Sequence, residues 1–330
     1  MNNEELKREI NRLKEQLNVS IVAHFYQKDE VFEMADFRGD SLELAKWAAK
    51  DEKPNLIFCG VAFMGQSVKI LSPKKRVFMP KVACCAMARM IDVDYYDENV
   101  KILENSGIKK DEIMPVTYIN SSAEVKARVG EMGGYVCTSS NAKKIITKAL
   151  KSGKKILFVP DRCLGQNIAI DMGLKSCVIG DGIDPKSCDI ICYNGFCSVH
   201  QLFEVEDIEF YRQKYPDILI ATHPECKPEV CQKSDFVGST SQIIKYIKEL
   251  PLEQKVAVGT EFNMVNRLRE KNTYVLSSTK PECPTMNETT LKDLYATLLS
   301  IKEKKYENEI NISEEVREYS YQALSRMFEI

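Results

Sequence analysis

Histidine is scarce in this chain, with three residues among 330. No two of its twelve cysteines form a C-x-x-C pair, which excludes the common zinc knuckles and the C-x-x-C-x-x-C run of ferredoxins. Basic blocks are missing too. Lys and Arg number 46 against 48 Asp and Glu, for a formal net charge of −2, so there is no electrostatic footprint for a phosphate backbone and no nucleic-acid partner is expected. The longest uncharged apolar stretch, "LIFCGVAFMGQSV" at 56–68, is too short and too glycine-bearing to span a bilayer. The start, "MNNEELKREINRLKEQLN", is charged, and Leu6, Ile10, Leu13 and Leu17 recur on it at helical spacing. It reads as a packing helix rather than a secretory signal. A cytoplasmic location is expected, where disulfides are not.

What is present is a 44% hydrophobic composition, enough for two or three compact units with cores of their own. Cys59, Cys137 and Cys177 lie in apolar, strand-like segments and read as core. Cys188, Cys192 and Cys197 are close enough in sequence to suggest a small zinc site. Cys226 and Cys231 flank "KPEV" and could form a redox pair. Any other metal centre must be assembled from distant cysteines.

The chain also echoes itself. "IVAHFYQ" at 21–27 resembles "IATHPEC" at 220–226, matching His24 with His223 and Tyr26 with Glu225. "FRGDSLELAKWA" from Phe37 then aligns with "FVGSTSQIIKYI" from Phe236, and the interval from His24 to Ser41 equals that from His223 to Thr240, 17 positions. A looser third copy, "PVTYINSS" at 115–122, places Tyr118 and Asn120 at the equivalent positions; "YVCTSSNAKKIITKAL" supplies its second half with Ser139. Here the interval is 21, so a four-residue insertion around "VGEMGG" is required. Each copy continues into another strand and helix start and then reaches a cysteine in a turn-rich setting: "VACCAMA", "NGFCSVH" and "KPECPTMN".

Alternating buried strands and amphipathic helices imply parallel sheets with right-handed crossovers. The crevice of such a sheet lies beyond the carboxyl ends of its strands, where His24, Tyr26, Tyr118, Asn120, His223 and Glu225 all fall. Ser41, Ser139 and Thr240 each stand at a helix start, where a hydroxyl caps free N–H groups and the dipole favours an anion. Singly these are ordinary caps. Three at matched positions around a pseudo-threefold axis would converge on one phosphate or carboxylate.

Taken in order, "HFYQ", "GDSLELA", "CAMA", "TYINSSAEVKA", "CTSSNA", "PDRCLGQN", "GFCSVH", "THPEC", "GSTSQII", "GTEFNMVNRL" and "CPTMN" resemble the quinolinate synthase family, the A protein of de novo NAD biosynthesis, from about residue 20 to 300. The resemblance implies an α/β fold of three similar three-layered α/β/α domains with short parallel sheets and the active site at their junction. Residues 1–90, joined by helices in 284–330 that pack back on them, form the first domain; 91–198 and 199–283 form the others. It implies one [4Fe-4S] cluster held by three cysteines, with one iron open as a Lewis acid. Cys197 and Cys283 stand at the ligand positions. "ACCAMA" offers two thiols, of which Cys85 occupies the ligand place and Cys84 that of a glycine. The implied reaction condenses iminoaspartate with dihydroxyacetone phosphate, giving quinolinate, phosphate and two waters. An aspartate-oxidising enzyme that supplies iminoaspartate is the implied protein partner. By the same resemblance Tyr26, His223 and Glu225 carry protons, with Glu225 orienting and charging His223. His24, Ser41, Tyr118, Asn120, Ser139 and Thr240 bind substrate. Cys226 points away from the site if its strand persists, and is no ligand.

Two other functions compete: an iron-sulfur electron carrier or redox sensor, and a metal-free binding module for a dicarboxylate or sugar phosphate. The first calls for a fourth protein ligand to the cluster. The second needs only the three helix starts.

Overall fold

A computed structural model describes residues 1–329. Three parallel sheets follow one another along the chain. The first holds β1 (Val19–His24), β2 (Phe37–Gly39), β3 (Asn55–Cys59) and β4 (Arg76–Phe78), in spatial order β2-β1-β3-β4. The second holds β5 (Ile113–Tyr118), β6 (Tyr135–Cys137), β7 (Lys155–Val159), β8 (Ser176–Val178) and β9 (Ile190–Cys192), in order β6-β5-β7-β9-β8. The third holds β10 (Leu219–Thr222), β11 (Phe236–Val237), β12 (Val256–Gly259) and β13 (Thr273–Val275), in order β11-β10-β12-β13. The first and third sheets therefore share one topology, and the second adds a strand to it. Strands such as β1 are buried at every position, as parallel strands covered by helices on both faces must be.

Strand register supports the internal alignment. His24 pairs with Gly39, and Tyr118 with Cys137. Thr222 pairs with Val237, which sets His223 beside Gly238. Two residues beyond these partners stand Ser41, Ser139 and Thr240. The extra four residues of the middle copy lengthen one helix: Ala123–Glu131 has nine residues where Asp29–Phe32 has four and Pro228–Gln232 has five.

The N-terminal helix Asn3–Gln16 opens on a capping box between Asn2 and Glu5 and buries Leu6, Ile10 and Leu13. Its apolar stripe lies in the same cluster as Leu291, Leu294 and Leu298 of the helix Leu291–Lys302. That part of the tail packs against the N-terminal helix. The final helix does not. Glu314–Ser325 lies mainly along Ala123–Glu131 of the second unit, because Gly130 lets the backbones meet: a Cβ there would come within 1.9 Å of the Tyr319 carbonyl oxygen. Cys59, Cys137 and Cys177 are buried in β3, β6 and β8, as their apolar surroundings imply.

Candidate active site and metal centre

The carboxyl ends of β1, β5 and β10 open onto one cavity. It is lined by all twelve residues singled out in the sequence: Cys85, Cys197 and Cys283; Tyr26, His223 and Glu225; and His24, Ser41, Tyr118, Asn120, Ser139 and Thr240. Cys84 is exposed and is not among the lining residues.

The three cysteines sit in matching turns. Each carbonyl accepts a bond from the amide four residues on: Cys85 from Arg89 at 3.2 Å, Cys197 from Gln201 at 3.1 Å and Cys283 from Asn287 at 3.1 Å. Within each turn, nearby backbone amides favour the ionised sulfur, those of Met87 and Ala88 for Cys85, of His200 for Cys197, and of Thr285 and Met286 for Cys283. Burial pushes all three thiols upward, Cys85 to about 12, so each would give up its proton only to a strong positive partner. Three half-buried cysteines, each beside backbone N–H groups that favour a thiolate, suit a metal cluster.

Polar groups gather beside them. Glu225 is buried between Tyr118, whose hydroxyl donates to Oε1 at 2.5 Å, and His200, whose Nδ1 lies 2.9 Å from Oε2. His223 is farther away, 3.9 Å from Oε1, and stacks on His200 with ring centroids 4.6 Å apart. The carboxylate therefore pairs with His200 rather than with His223, which corrects the sequence expectation. β10 ends at Thr222, so His223 and Glu225 leave it on a turn closed by the Cys226 amide on the His223 carbonyl at 3.0 Å. In that turn Cys226 is turned into the core, its sulfur 3.4 Å from the Gly259 carbonyl. It is excluded from the cavity, by the turn and not by strand alternation.

Burial also sets the charges. It pushes Glu225 up, but the adjoining His200 and His223 imidazoles and the Tyr118 hydroxyl bond outweigh it and hold the carboxyl at about 2. Burial drives His24 to about 4 and His223 to about 3, leaving both imidazoles neutral near pH 7. It raises Tyr26 and Tyr118 well above the ordinary phenol value, so both remain donors.

The helix-start hydroxyls are not the caps. Asp40 caps Ser41–Lys50 and Ser239 caps Thr240–Glu249. Asn141 precedes Ala142–Leu150 and turns its side chain back to the Thr138 amide at 2.8 Å. Because the preceding residue satisfies the free amides, Ser41 and Thr240 stand at the first helical position with their hydroxyls released to the cavity. Asp40 does more than cap. Its Oδ2 accepts from Ser140 at 3.0 Å and Ser241 at 2.6 Å, joining all three units at the cavity wall.

Sequence reasoning missed His200 and Asp40. His200 does not sit at a strand end; the only signal was that it is the third of three histidines, three residues after Cys197. Its Nδ1 has no aligned hydrogen bond among the described residues, since Glu225 Oε2 lies off the N–H axis. Donor atoms of Cys197, His200 and Glu225 fall within 4.8 Å of one another, the one such group of three among the described residues. Cys188 and Cys192 are buried away from it, and the sequence-level zinc site is not assembled.

A threefold-repeated α/β fold that directs strand ends, thiols and a Glu-His pair into one cavity defines an enzyme with a candidate metal site. Comparison with known proteins agrees. The model of the family described as quinolinate synthetase A protein matches residues 8–329. Proteins named quinolinate synthase are 56% identical in Helicobacter pylori strain 26695, over 99% of this chain and 98% of that one, and 39% identical in Acidobacterium capsulatum, over 94% and 88%. The chain belongs to the quinolinate synthetase A family.

Proposed function

We propose that the protein is a quinolinate synthase that condenses iminoaspartate with dihydroxyacetone phosphate to quinolinate, phosphate and two waters. The observation that carries this reading is the set of three matching cysteine turns, one from each unit, at the wall of a cavity that also holds Glu225, His223 and Tyr26. Cys85, Cys197 and Cys283 would hold a [4Fe-4S] cluster. With three protein thiolates for four irons, the bound cluster supplies a Lewis acid at its open iron. No redox change of the protein is then needed, which separates this reading from an electron carrier.

The chain's own groups do the remaining work. Neutral His223 and His24 are free to accept protons near pH 7, and the Glu225 carboxylate stabilises positive charge that develops on either histidine beside it. Tyr26, at the strand end, exchanges a proton with the intermediate. Tyr118 and Asn120 leave the end of β5 and bind the carbonyl and carboxylate region. The hydroxyls of Ser41, Ser139 and Thr240 receive the anionic end. The described residues include no helix long and apolar enough to cross a membrane, which suits a cytoplasmic enzyme whose iminoaspartate comes from an aspartate-oxidising enzyme.

Iron and acid-labile sulfide in protein purified without oxygen, followed by quinolinate formation from the two substrates, test the proposal. About four of each per chain together with turnover are expected. Zinc alone, or no metal after reconstitution, would sink it.

A further inference from the structure

One buried hydroxyl outside the cavity lining connects the groups that are proposed to move protons. Thr260 follows the end of β12 and is fully buried. Its Oγ1 lies 2.9 Å from the Tyr26 hydroxyl and 3.0 Å from His200 Nε2. His200 in turn faces Glu225, which is bonded to Tyr118. Close polar contacts thus run from Tyr118 through Glu225 and His200, and hydrogen bonds from His200 through Thr260 to Tyr26, ending on Thr240, 3.1 Å from the Tyr26 hydroxyl.

A threonine hydroxyl has a single proton, so it can donate to one of these partners and must accept from the other. The Glu225 carboxylate favours the imidazole tautomer with its proton on Nδ1, leaving Nε2 as acceptor. Thr260 then donates to His200 and accepts from Tyr26. The phenol proton is directed toward Thr260, and the Tyr26 lone pairs are turned to Thr240 and the cavity. The fold itself does not call for this hydroxyl. Strand pairing sets Thr260 at the position of Gly60 and Pro160 in the other two units, and neither has a polar side chain.

We propose that Thr260 is a positioning residue for catalysis, fixing the direction of the hydrogen bonds that join Tyr26 to the Glu225–His200 pair. This rests on the quinolinate synthase reading. The test therefore begins with wild-type turnover: if wild-type protein with a full complement of iron makes no quinolinate, the functional reading falls first and the role of Thr260 falls with it.

Given wild-type turnover, Thr260→Val keeps the branched shape and deletes the hydroxyl. Expected are a 10- to 100-fold lower kcat, KM for dihydroxyacetone phosphate within about threefold of wild type, and unchanged iron per chain, as befits lost orientation of a proton-transfer group. Thr260→Ser should recover kcat to within about threefold. In a Tyr26→Phe background, Thr260→Val should cost less than about threefold, because its partner is already gone. Should the valine variant fail to fold, Thr260→Ala and Thr260→Ser carry the same comparison. Wild-type kcat in Thr260→Val, failure of Thr260→Ser to rescue, or full additivity with Tyr26→Phe would each overturn the proposal.

Discussion

Replacing Asp40 by Ala should destabilise the whole molecule, because one buried carboxylate fastens all three units. Asp40 Oδ1 accepts from the amides of Leu42 and Glu43 at 3.0 Å each, and Oδ2 accepts from Ser140 and Ser241. Loss of an N-cap costs about 0.5–2 kcal/mol. A hydrogen bond to a charged group contributes about 1.5–3 kcal/mol, but at a cavity wall water can replace part of it, so about 1–1.5 kcal/mol for each serine is the fair figure. The sum is about 2.5–5 kcal/mol. Asp40→Asn retains a good cap but puts an N–H donor where Oδ2 accepted, so the two serine hydroxyls must turn round to accept from it, and about 1–2 kcal/mol is expected. The assay is built in. The single tryptophan, Trp47, lies on the helix that Asp40 caps and stacks on Phe37 with centroids 5.3 Å apart. Its fluorescence through a urea titration reports the unfolding midpoint. Ser140→Ala and Ser241→Ala should each lower that midpoint in wild-type protein and leave it nearly unchanged in the Asp40→Ala background. A midpoint for Asp40→Ala equal to wild type, or serine effects undiminished in its absence, would refute the reasoning.

Other expectations are independent of that one. Gly130→Ala should cost about 3 kcal/mol or more in thermal or urea unfolding, since its Cβ would meet the Tyr319 carbonyl at 1.9 Å; Gly133→Ala, with open space but φ of +74°, should cost only about 1 kcal/mol. Cys85→Ser should abolish stable iron binding whereas Cys84→Ser should retain it, as measured by iron per chain; the reverse would exchange their assignments. Acid should weaken the fold early. His24 and His223 have folded values of about 4 and about 3, below the unfolded value near 6.5, so the unfolded chain takes up protons that the folded one refuses. Stability conferred by the two neutral histidines is complete above pH 6.5 and falls as pH drops toward 4, by about 3 kcal/mol each at the limit. Glu225, held at about 2, adds a further loss below about pH 4.5. Urea midpoints at pH 7, 5.5 and 4.5 measure this, and a flat profile from 7 to 5 would contradict the buried neutral histidines.

The division between what was legible in the sequence and what was not follows the range of the forces involved. Matching intervals between His24 and Ser41 and between His223 and Thr240 survive because register in a parallel sheet fixes which residue emerges at each strand end, and the period of two punishes any slip. The four-residue insertion was legible for the same reason: it falls in a helix, where about one more turn leaves the flanking strands in place. Caps were misplaced by one residue because Asp40 and Ser41, or Ser239 and Thr240, are both acceptable capping types. Only the geometry of the first turn selects between them. The seat of the last helix was not legible because an amphipathic stripe declares that it must pack, not on what, and the deciding feature is a single missing Cβ at Gly130 far away in sequence.

The pairing of Glu225 with His200 was invisible for a deeper reason. Sequence proximity favoured His223, two residues away, but side chains two apart on a tight turn do not face each other well. His223 Nδ1 is occupied by the Glu225 amide at 3.3 Å. His200 arrives from the start of the same unit's sequence, on the turn that follows Cys197, with its ring already aimed between Glu225 and Thr260. The turn that presents a cysteine to the proposed cluster thus also presents the histidine that touches the carboxylate. It follows that a change to either group should be felt by the other. Glu225→Gln should leave three thiols in place and keep iron bound, but alter the environment of the metal through His200 and Cys197. A shifted electronic spectrum of the cluster at unchanged iron content is the expected result. An unchanged spectrum would mean that the acid and the metal centre share a cavity without sharing a network.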